Sequence, residues 1–231
     1  MTFTHRNDYK EKFGALNRTY LNEVRLYAVD ERTAYPSITS IISFVNRKKF
    51  ADWRARVGNE AANKTTKHAT RRGTDLHLIF EKYLQNEDIK SLDEYQKPLI
   101  QYMFNFAKPF IDEKFNNIYQ QETNMFSHKL CLAGTVDLIC EVDGELAIVD
   151  FKTSEKEKPE EWLEDYFVQL SAYWAMFSER TGVVPKKLVV FLVGENGDVQ
   201  IVERRNPVDY LKTLRDYVNQ FVRFHAQSKS N

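Results

Sequence analysis

The segment GTVDLICEVDGELAIVDFKTS, residues 134–154, constrains the fold more than any other part of the sequence. Two apolar runs flank Asp143-Gly144, a dipeptide typical of a two-residue turn between antiparallel strands. Such a turn fixes the pairing of the two strands, because a slip by one residue would turn every side chain to the other face. Counting outward from the turn places Asp137 opposite Asp150. The sequence therefore predicts two carboxylates that meet inside a buried sheet.

These two carboxylates need a partner. At a separation of about 5 Å and an effective dielectric constant of about 20 they repel by about 3 kcal/mol. A favourable cross-strand pair supplies only about 0.2–1 kcal/mol. Lys152 points from the same face as Asp150, about 6.6 Å further along the strand, and Thr135 is its expected neighbour across the ladder. A proton, the lysine alone or a divalent metal would each remove the repulsion, and carboxylates are ligands that Mg²⁺ and Mn²⁺ prefer. The alternative is a buried Asp–Lys ion pair that only holds the register.

Periodicity predicts an α/β fold around a mixed sheet. An extended stretch at Tyr35-Pro36 leads into a helix that Ser37 or Thr39 caps. Further helices are predicted over 48–66, 70–86, 92–110 (where Pro109 introduces a kink), from 160 to 177, and over 211–221. Strands are predicted over 117–126, 129–142, 145–153, 187–193 and 199–204.

Composition limits the classes of protein. The chain has 231 residues, 42% of them hydrophobic, which suffices for one globular domain. Its 33 basic and 33 acidic residues cancel, so net charge attracts neither nucleic acid nor membrane. Cys131 and Cys140 are too few for a disulfide framework and are predicted to be small core residues. No segment resembles a targeting peptide or a membrane span, so we expect a cytoplasmic protein with no membrane partner. The polar ends, 1–20 and 226–231, are expected to be loosely held.

One segment departs from this charge balance. Nine basic residues between Arg47 and Arg72 face two acidic ones, a local excess of seven. Trp53, with Phe50 nearby, offers an aromatic surface on which unpaired bases stack. We predict that Trp53, Arg54, Arg71 and Arg72 contact DNA, whereas a solvated basic helix is the alternative.

The sequence also resembles a known family. Asp137, twelve intervening residues, Asp150 and Lys152 resemble the PD-(D/E)XK nuclease motif, with Val136 in place of the proline of the motif's name. The segment GTDLHLIFE, residues 73–81, is similar to the RecB-like helix that places a histidine in the site. The segment QLSAY, residues 169–173, is similar to the QxxxY element of these nucleases. The segments YPSITSII, GTVDLI and DFKTS together most resemble those of the mitochondrial genome maintenance exonuclease and its phage and bacterial relatives. The iron–sulfur subgroup needs four cysteines and is excluded.

The resemblance implies a restriction-endonuclease-like core, a central mixed β-sheet flanked by helices, with an added N-terminal helical region. It divides one nuclease domain, 1–231, into an extension (1–34), a helical DNA-binding region (35–90) and a nuclease core (91–231). The activity implied is that of a metal-dependent DNA exonuclease on single-stranded or flapped ends. The residues that would carry this activity are His77, Asp137, Asp150 and the carbonyl of Phe151 as ligands of Mg²⁺ or Mn²⁺, Lys152 as the catalytic cation, and Ser37, Thr39, Gln169 and Tyr173 as DNA contacts. For Gln169 and Tyr173, packing of their helix against the protein is the alternative.

The roles of two glutamates and the kind of activity leave alternative interpretations open. Glu81 and Glu122 fall outside the core set, because an exposed glutamate is the commoner explanation for each. A structure-specific endonuclease or nickase would use the same centre, and a catalytically inactive DNA-binding module would use the acids only to brace the sheet. Recombination, repair or replication in a phage or bacterium fits the resemblance. No protein partner is indicated.

Overall fold

The computed structural model describes residues 2–227. Within them the chain forms eight β-strands and five α-helices, joined by turns and short 3-10 segments. The strands are β1 (Asn17–Leu21), β2 (Val24–Ala28), β3 (Ala34–Pro36), β4 (Phe115–Ser127), β5 (Leu132–Val142), β6 (Glu145–Ser154), β7 (Lys187–Gly194) and β8 (Val199–Arg204). The helices are α1 (Ile38–Val57), α2 (Asn59–Leu84), α3 (Pro98–Lys114), α4 (Glu164–Thr181) and α5 (Pro207–Gln227).

The last five strands form one mixed sheet in the order β4-β5-β6-β7-β8. β6 and β7 run parallel, whereas the other neighbouring pairs are antiparallel. α4 connects the parallel pair, since parallel neighbours need a long crossover. The predicted α/β fold with a central mixed sheet flanked by helices is confirmed.

The sheet separates two hydrophobic cores, because successive side chains of a strand point to opposite faces. On β5, Leu138 and Cys140 pack on the face covered by α2 and α3. Ile139 between them packs on the face covered by α1, α4 and α5. Cys140 is thus the core residue that was predicted, but the same prediction for Cys131 is wrong. Cys131 lies in the turn before β5, with a φ of 52°, and is exposed.

The bounds of the three helices that follow Ser37 differ from the predicted ones. Ser37 caps α1, its hydroxyl accepting a hydrogen bond from the backbone N–H of Ser40. α1 and α2 are long and separated only at Gly58, whose φ of 85° no helical residue adopts. The predicted break between 66 and 70 is wrong, since α2 continues through it. α3 begins at Pro98 rather than 92, because proline is favoured at the first helical position.

The N-terminal residues are held more firmly than their polarity indicates. β1, β2 and β3 form a small antiparallel sheet that the sequence analysis did not predict. Phe3 is buried, and its backbone N–H donates to the side chain of Asn86 at 2.7 Å. The expectation of a loosely held 1–20 is therefore wrong for residues 2–20, and 228–231 lie outside the described residues. In the described part of the chain, no helix has the length and apolar character to cross a bilayer.

Candidate metal and catalytic centre

The hairpin β5–β6 brings the two predicted acids together. Regular pairing runs outward from the turn to Leu138 and Val149, with the predicted register. Asp137 and Asp150 are the next residues on either strand. There the side chain replaces the backbone ladder, because Asp137 Oδ2 accepts a hydrogen bond from the N–H of Phe151 at 2.8 Å. The predicted register is confirmed as far as Leu138 and Val149, the pair next to the two acids.

Thr135 does not pair with Lys152, although the register of the hairpin predicts that pairing. Thr135 lies beyond the paired part of β5 and β6, and it pairs instead with Asn124 of β4. Its hydroxyl contacts the Tyr27 hydroxyl at 3.0 Å and accepts from the Asn124 amide at 2.9 Å. The small N-terminal sheet is thus attached to the strand that carries Asp137.

His77 approaches from α2. Its Nε2 lies 2.8 Å from the carbonyl oxygen of Phe151, and its Nδ1 lies 3.7 Å from Asp137 Oδ2. A carbonyl only accepts, so Nε2 carries the proton and Nδ1 keeps its lone pair. Burial, reinforced by the charge of Lys152, lowers the pKa of His77 to about 4. The imidazole is therefore neutral near pH 7, the form in which histidine binds metals.

Glu122 of β4 completes a cluster that the sequence analysis left outside the core set. One ligand atom each of His77, Glu122 and Asp137 lies within 4.8 Å of the others. Glu122 has a φ of 44°, an uncommon conformation for a residue other than glycine. Regular pairing skips it while its neighbours pair with β5. Burial, followed by repulsion from Asp137, Glu81 and Asp150, raises the pKa of Glu122 to about 8.

Asp150 and Lys152 form an ion pair beside this cluster. Lys152 Nζ contacts Asp150 Oδ2, and the side chain of Asp150 is only 1% exposed. Burial raises the pKa of Asp150 although Lys152 opposes the change. Burial also acts to lower the pKa of Lys152, but attraction to Asp150 and Asp137 outweighs it and raises this pKa. The lysine is thus held in its charged form within the site.

Gln169 and Tyr173 lie beneath the centre. Gln169 Nε2 donates a hydrogen bond to Asp150 Oδ1 at 3.0 Å. Gln169 and Tyr173 are both buried residues of α4. Tyr173 lies so close to Gly134 that a Cβ there would come within 2.7 Å of the ring. Both residues were predicted to contact DNA, but their burial within the protein places them against the carboxylate and β5 instead.

The other predicted DNA contacts divide into two groups. Ser37 is buried and engaged in capping α1, with its hydroxyl also in contact with Thr39. Arg72 is 5% exposed, contacts Glu195 and donates to Thr153 Oγ1 at 3.1 Å. Ser37 and Arg72 thus already have partners inside the protein, and a phosphate contact by either one stays a prediction. The residues that remain accessible are Thr39, Trp53, Arg54 and Arg71.

The donors present fit a divalent ion. His77, Glu122 and Asp137 offer one nitrogen and carboxylate oxygens, a set that suits Mg²⁺ or Mn²⁺ better than a thiophilic metal. Asp150 Oδ2 is buried and, among the described residues, receives no hydrogen bond of regular geometry besides its ion-pair contact with Lys152. The Phe151 carbonyl already accepts from His77 and keeps one further lone pair.

Comparison with known proteins gives one family. The family model described as the PD-(D/E)XK nuclease superfamily matches residues 50–229, which include every member of the centre. No curated protein matches the chain.

Proposed function

Because the chain belongs to the PD-(D/E)XK nuclease superfamily, we propose that it is a metal-dependent DNA exonuclease acting on single-stranded or flapped ends. Membership implies hydrolysis of nucleic acid, and the restriction-endonuclease-like sheet carries the motif on β5 and β6. The observation that supports catalysis most strongly is the cluster of His77, Glu122 and Asp137 beside the ion pair of Asp150 and Lys152. Sheet bracing alone does not require three converging donors.

Each residue of the centre has a role in this proposal. His77, Asp137, Asp150 and the Phe151 carbonyl are the ligands that the RecB-like resemblance implies, and the position of Glu122 beside His77 and Asp137 supports it as a further ligand. A bound Mg²⁺ or Mn²⁺ would supply charge neutralisation on the phosphate and acidify a water. Lys152 supplies a fixed positive charge for the charge that develops on the phosphate.

Contacts within the centre and with Gln169 hold these residues in position. Asp150 keeps the Lys152 ammonium in place, and Gln169 in turn fixes the Asp150 carboxylate through its amide. His77 is oriented by the hydrogen bond between its Nε2 and the Phe151 carbonyl. These three contacts keep the catalytic side chains in a fixed orientation during the reaction.

The preference for unpaired ends rests on the basic segment. Trp53 packs against Phe50, and the Arg54 guanidinium lies 5.8 Å above the Phe50 ring. Aromatic rings with adjacent arginines hold unpaired bases without reading their sequence. A relation to the mitochondrial genome maintenance exonuclease and its phage and bacterial relatives, with a role in recombination, repair or replication, is part of the same proposal.

The test uses end-labelled single-stranded DNA. The parent should degrade a linear strand with Mg²⁺ or Mn²⁺, stop with EDTA and spare a closed circular strand. Lys152→Ala should lower the cleavage rate at least about a hundredfold while DNA binding persists. Lys186→Ala removes an exposed lysine at the opposite end of the parallel strand pair and should cut like the parent. Cutting of circles would indicate an endonuclease or nickase, and the absence of cutting with any divalent metal would favour the DNA-binding module.

A further inference from the structure

A cavity of about 450 Å³ lies between the β1–β2 hairpin, the first half of α1 and the end of α5. None of the residues of the metal and catalytic centre line it. Its wall combines aromatic rings with basic groups, and Glu23 is the acidic residue among its lining residues. The aromatic members are Tyr20, Phe44, Phe221 and Phe224, and the basic members are Arg25, Arg47 and His225.

Two nitrogens of this wall lack a partner. Arg25 Nε and His225 Nε2 are buried, and in the described part of the chain neither forms a hydrogen bond. A buried polar atom left in this state is costly, so such atoms are rare in native proteins. The side chains of both residues line the cavity, where the Arg25 guanidinium lies beside Tyr20 and Tyr27. An anionic group suits this wall, because the arginine is always charged and can only donate.

The same wall provides a stacking surface. The Arg47 guanidinium lies 3.8 Å from the centroid of the Phe44 ring and 5.0 Å from that of Phe224. Arg47 Nη1 also donates to the Phe44 carbonyl at 2.7 Å, which holds the guanidinium over the ring. At the rim, Tyr20 is 61% and Phe224 is 45% exposed. Rings exposed beside a stacked arginine are the surface on which a nucleobase binds.

We propose that this cavity binds one nucleotide unit of an unpaired nucleic acid strand. Arg25, Arg47 and His225 take its phosphate, and Tyr20 and Phe224 take its base. The positive charge of the wall favours this anionic occupant over a basic or neutral one of the same size. The assignment rests on the proposed function, because it treats the strand as the one that the centre cuts.

The backbone connects the cavity to the centre. The Arg25 N–H donates to Ser40 Oγ at 2.9 Å, and the Arg25 carbonyl accepts from the Ser37 N–H at 2.8 Å. Ser37 forms a β-bridge with Ala133 of β5. Asp137 follows four residues later on the same strand, a rise of about 13 Å. A strand held at the centre can therefore reach the cavity within a few nucleotides.

The test measures binding of a fluorescein-labelled oligothymidylate to the full chain by fluorescence anisotropy, in EDTA so that no strand is cut. Phe224→Ala and Arg47→Gln should each weaken binding about tenfold, the usual loss for one stacking ring or one phosphate contact. Arg47→Gln should also flatten the dependence of binding on salt. Phe224→Ala should not alter binding of the same sequence as a blunt duplex, whose bases are not free to stack.

Two matched controls separate the cavity from general surface effects. Phe106→Ala removes a ring of α3 that is 46% exposed, and Arg215→Gln removes an exposed arginine of α5 outside the cavity. Both should bind the oligonucleotide like the parent. Thymidine monophosphate should compete only at a concentration at least about a hundredfold higher than an unlabelled oligonucleotide, because a strand makes several linked contacts.

The outcomes distinguish this assignment from the nuclease proposal. If the parent cuts linear strands and both cavity variants bind them like the parent, the cavity assignment is overturned and the nuclease proposal stands. If the parent does not cut, but the variants still weaken binding and the controls do not, the cavity assignment stands alone. Competition by thymidine monophosphate equal to that of the oligonucleotide would overturn the strand as occupant in favour of a free mononucleotide.

Discussion

Glu122 and His77 lie in the same cluster but respond to pH in opposite directions. Burial and neighbouring carboxylates raise the pKa of Glu122 from 4.5 to about 8, so the folded protein keeps a proton that the unfolded chain has lost. Burial and Lys152 lower the pKa of His77 from 6.5 to about 4, so the folded protein lacks a proton that the unfolded chain holds. Stability from Glu122 is therefore lost as pH rises, and stability from His77 is lost as pH falls.

We expect the metal-free protein to lose stability between pH 6.5 and 8, where Glu122 titrates after His77 has become neutral in both states. One proton held only by the folded state changes the free energy of unfolding by at most about 1.4 kcal/mol per pH unit. The Glu122 side chain is exposed to solvent, so screening should keep the measured slope well below this limit. Urea unfolding in EDTA at several pH values measures this slope. Metal binding should oppose it, since the ligands must be deprotonated.

The variant Glu122→Gln tests the assignment. It removes the titrating carboxyl but keeps the shape of the side chain, so the loss of stability between pH 6.5 and 8 should largely disappear. Glu31→Gln removes an exposed carboxylate and should keep the slope of the parent. An unchanged slope in Glu122→Gln would contradict the raised pKa.

Of the individual residues of the centre, the sequence predicts the pair Asp137 and Asp150 but not Glu122. Turn chemistry at Asp143-Gly144 is local, so the register of Asp137 and Asp150 can be counted from it. Glu122 faces the same site only because β4 departs from regular pairing, with a register shift before Gln120 and a positive φ at Glu122 itself. A positive φ at a glutamate is not encoded by local sequence preference.

Among the elements, α2 both positions the centre and presents a basic surface. Arg71 and Arg72 are neighbours in sequence but point about 100° apart around the helix. Arg71 is exposed and 3.9 Å from Asp75, whereas Arg72 is buried against Glu195 and Thr153. The first can meet a ligand, and the second joins the helix to the ends of β6 and β7.

These two arginines should therefore give opposite phenotypes. Arg72→Gln leaves Glu195 without its buried partner and should lower the free energy of unfolding by about 3 kcal/mol. Arg71→Gln should leave stability within about 0.5 kcal/mol of the parent and weaken binding of single-stranded DNA about threefold. Urea unfolding and fluorescence anisotropy on both variants check this. Equal stability of the two variants would show that the buried contact contributes nothing.

The bounds of the elements show where sequence patterns suffice. The strands of the central sheet follow from runs of β-branched residues and two clear turns, and each is found within a few residues of its predicted place. The helices α1 and α2 were divided wrongly, because their exposed polar stretches carry little apolar periodicity. Burial of Arg72 depends on Glu195, which is 123 residues away in sequence, and no local pattern conveys that contact.

For the whole molecule, the centre joins parts of the chain that are far apart in sequence. His77 comes from α2, Glu122 from β4 and Asp137 from β5, and Asp150 follows on β6. The unfolded chain does not bring these donors together. An ion bound by them therefore stabilises only the folded state, and its binding is linked to the stability of the entire domain.

We expect Mn²⁺ to raise the thermal unfolding midpoint of the parent. At a concentration about a hundredfold above the dissociation constant, a ligand of the folded state adds about 2.7 kcal/mol, which corresponds to about 5–10 °C in a domain of this size. Asp137→Asn should abolish most of the shift, because it removes a carboxylate from the three-donor cluster. Asp198→Asn, a change in the exposed turn before β8, should keep it. Scanning calorimetry with and without Mn²⁺ measures the shift. Because it detects binding at any site of the folded protein, an equal shift in the parent and in Asp137→Asn would show that the ion binds elsewhere.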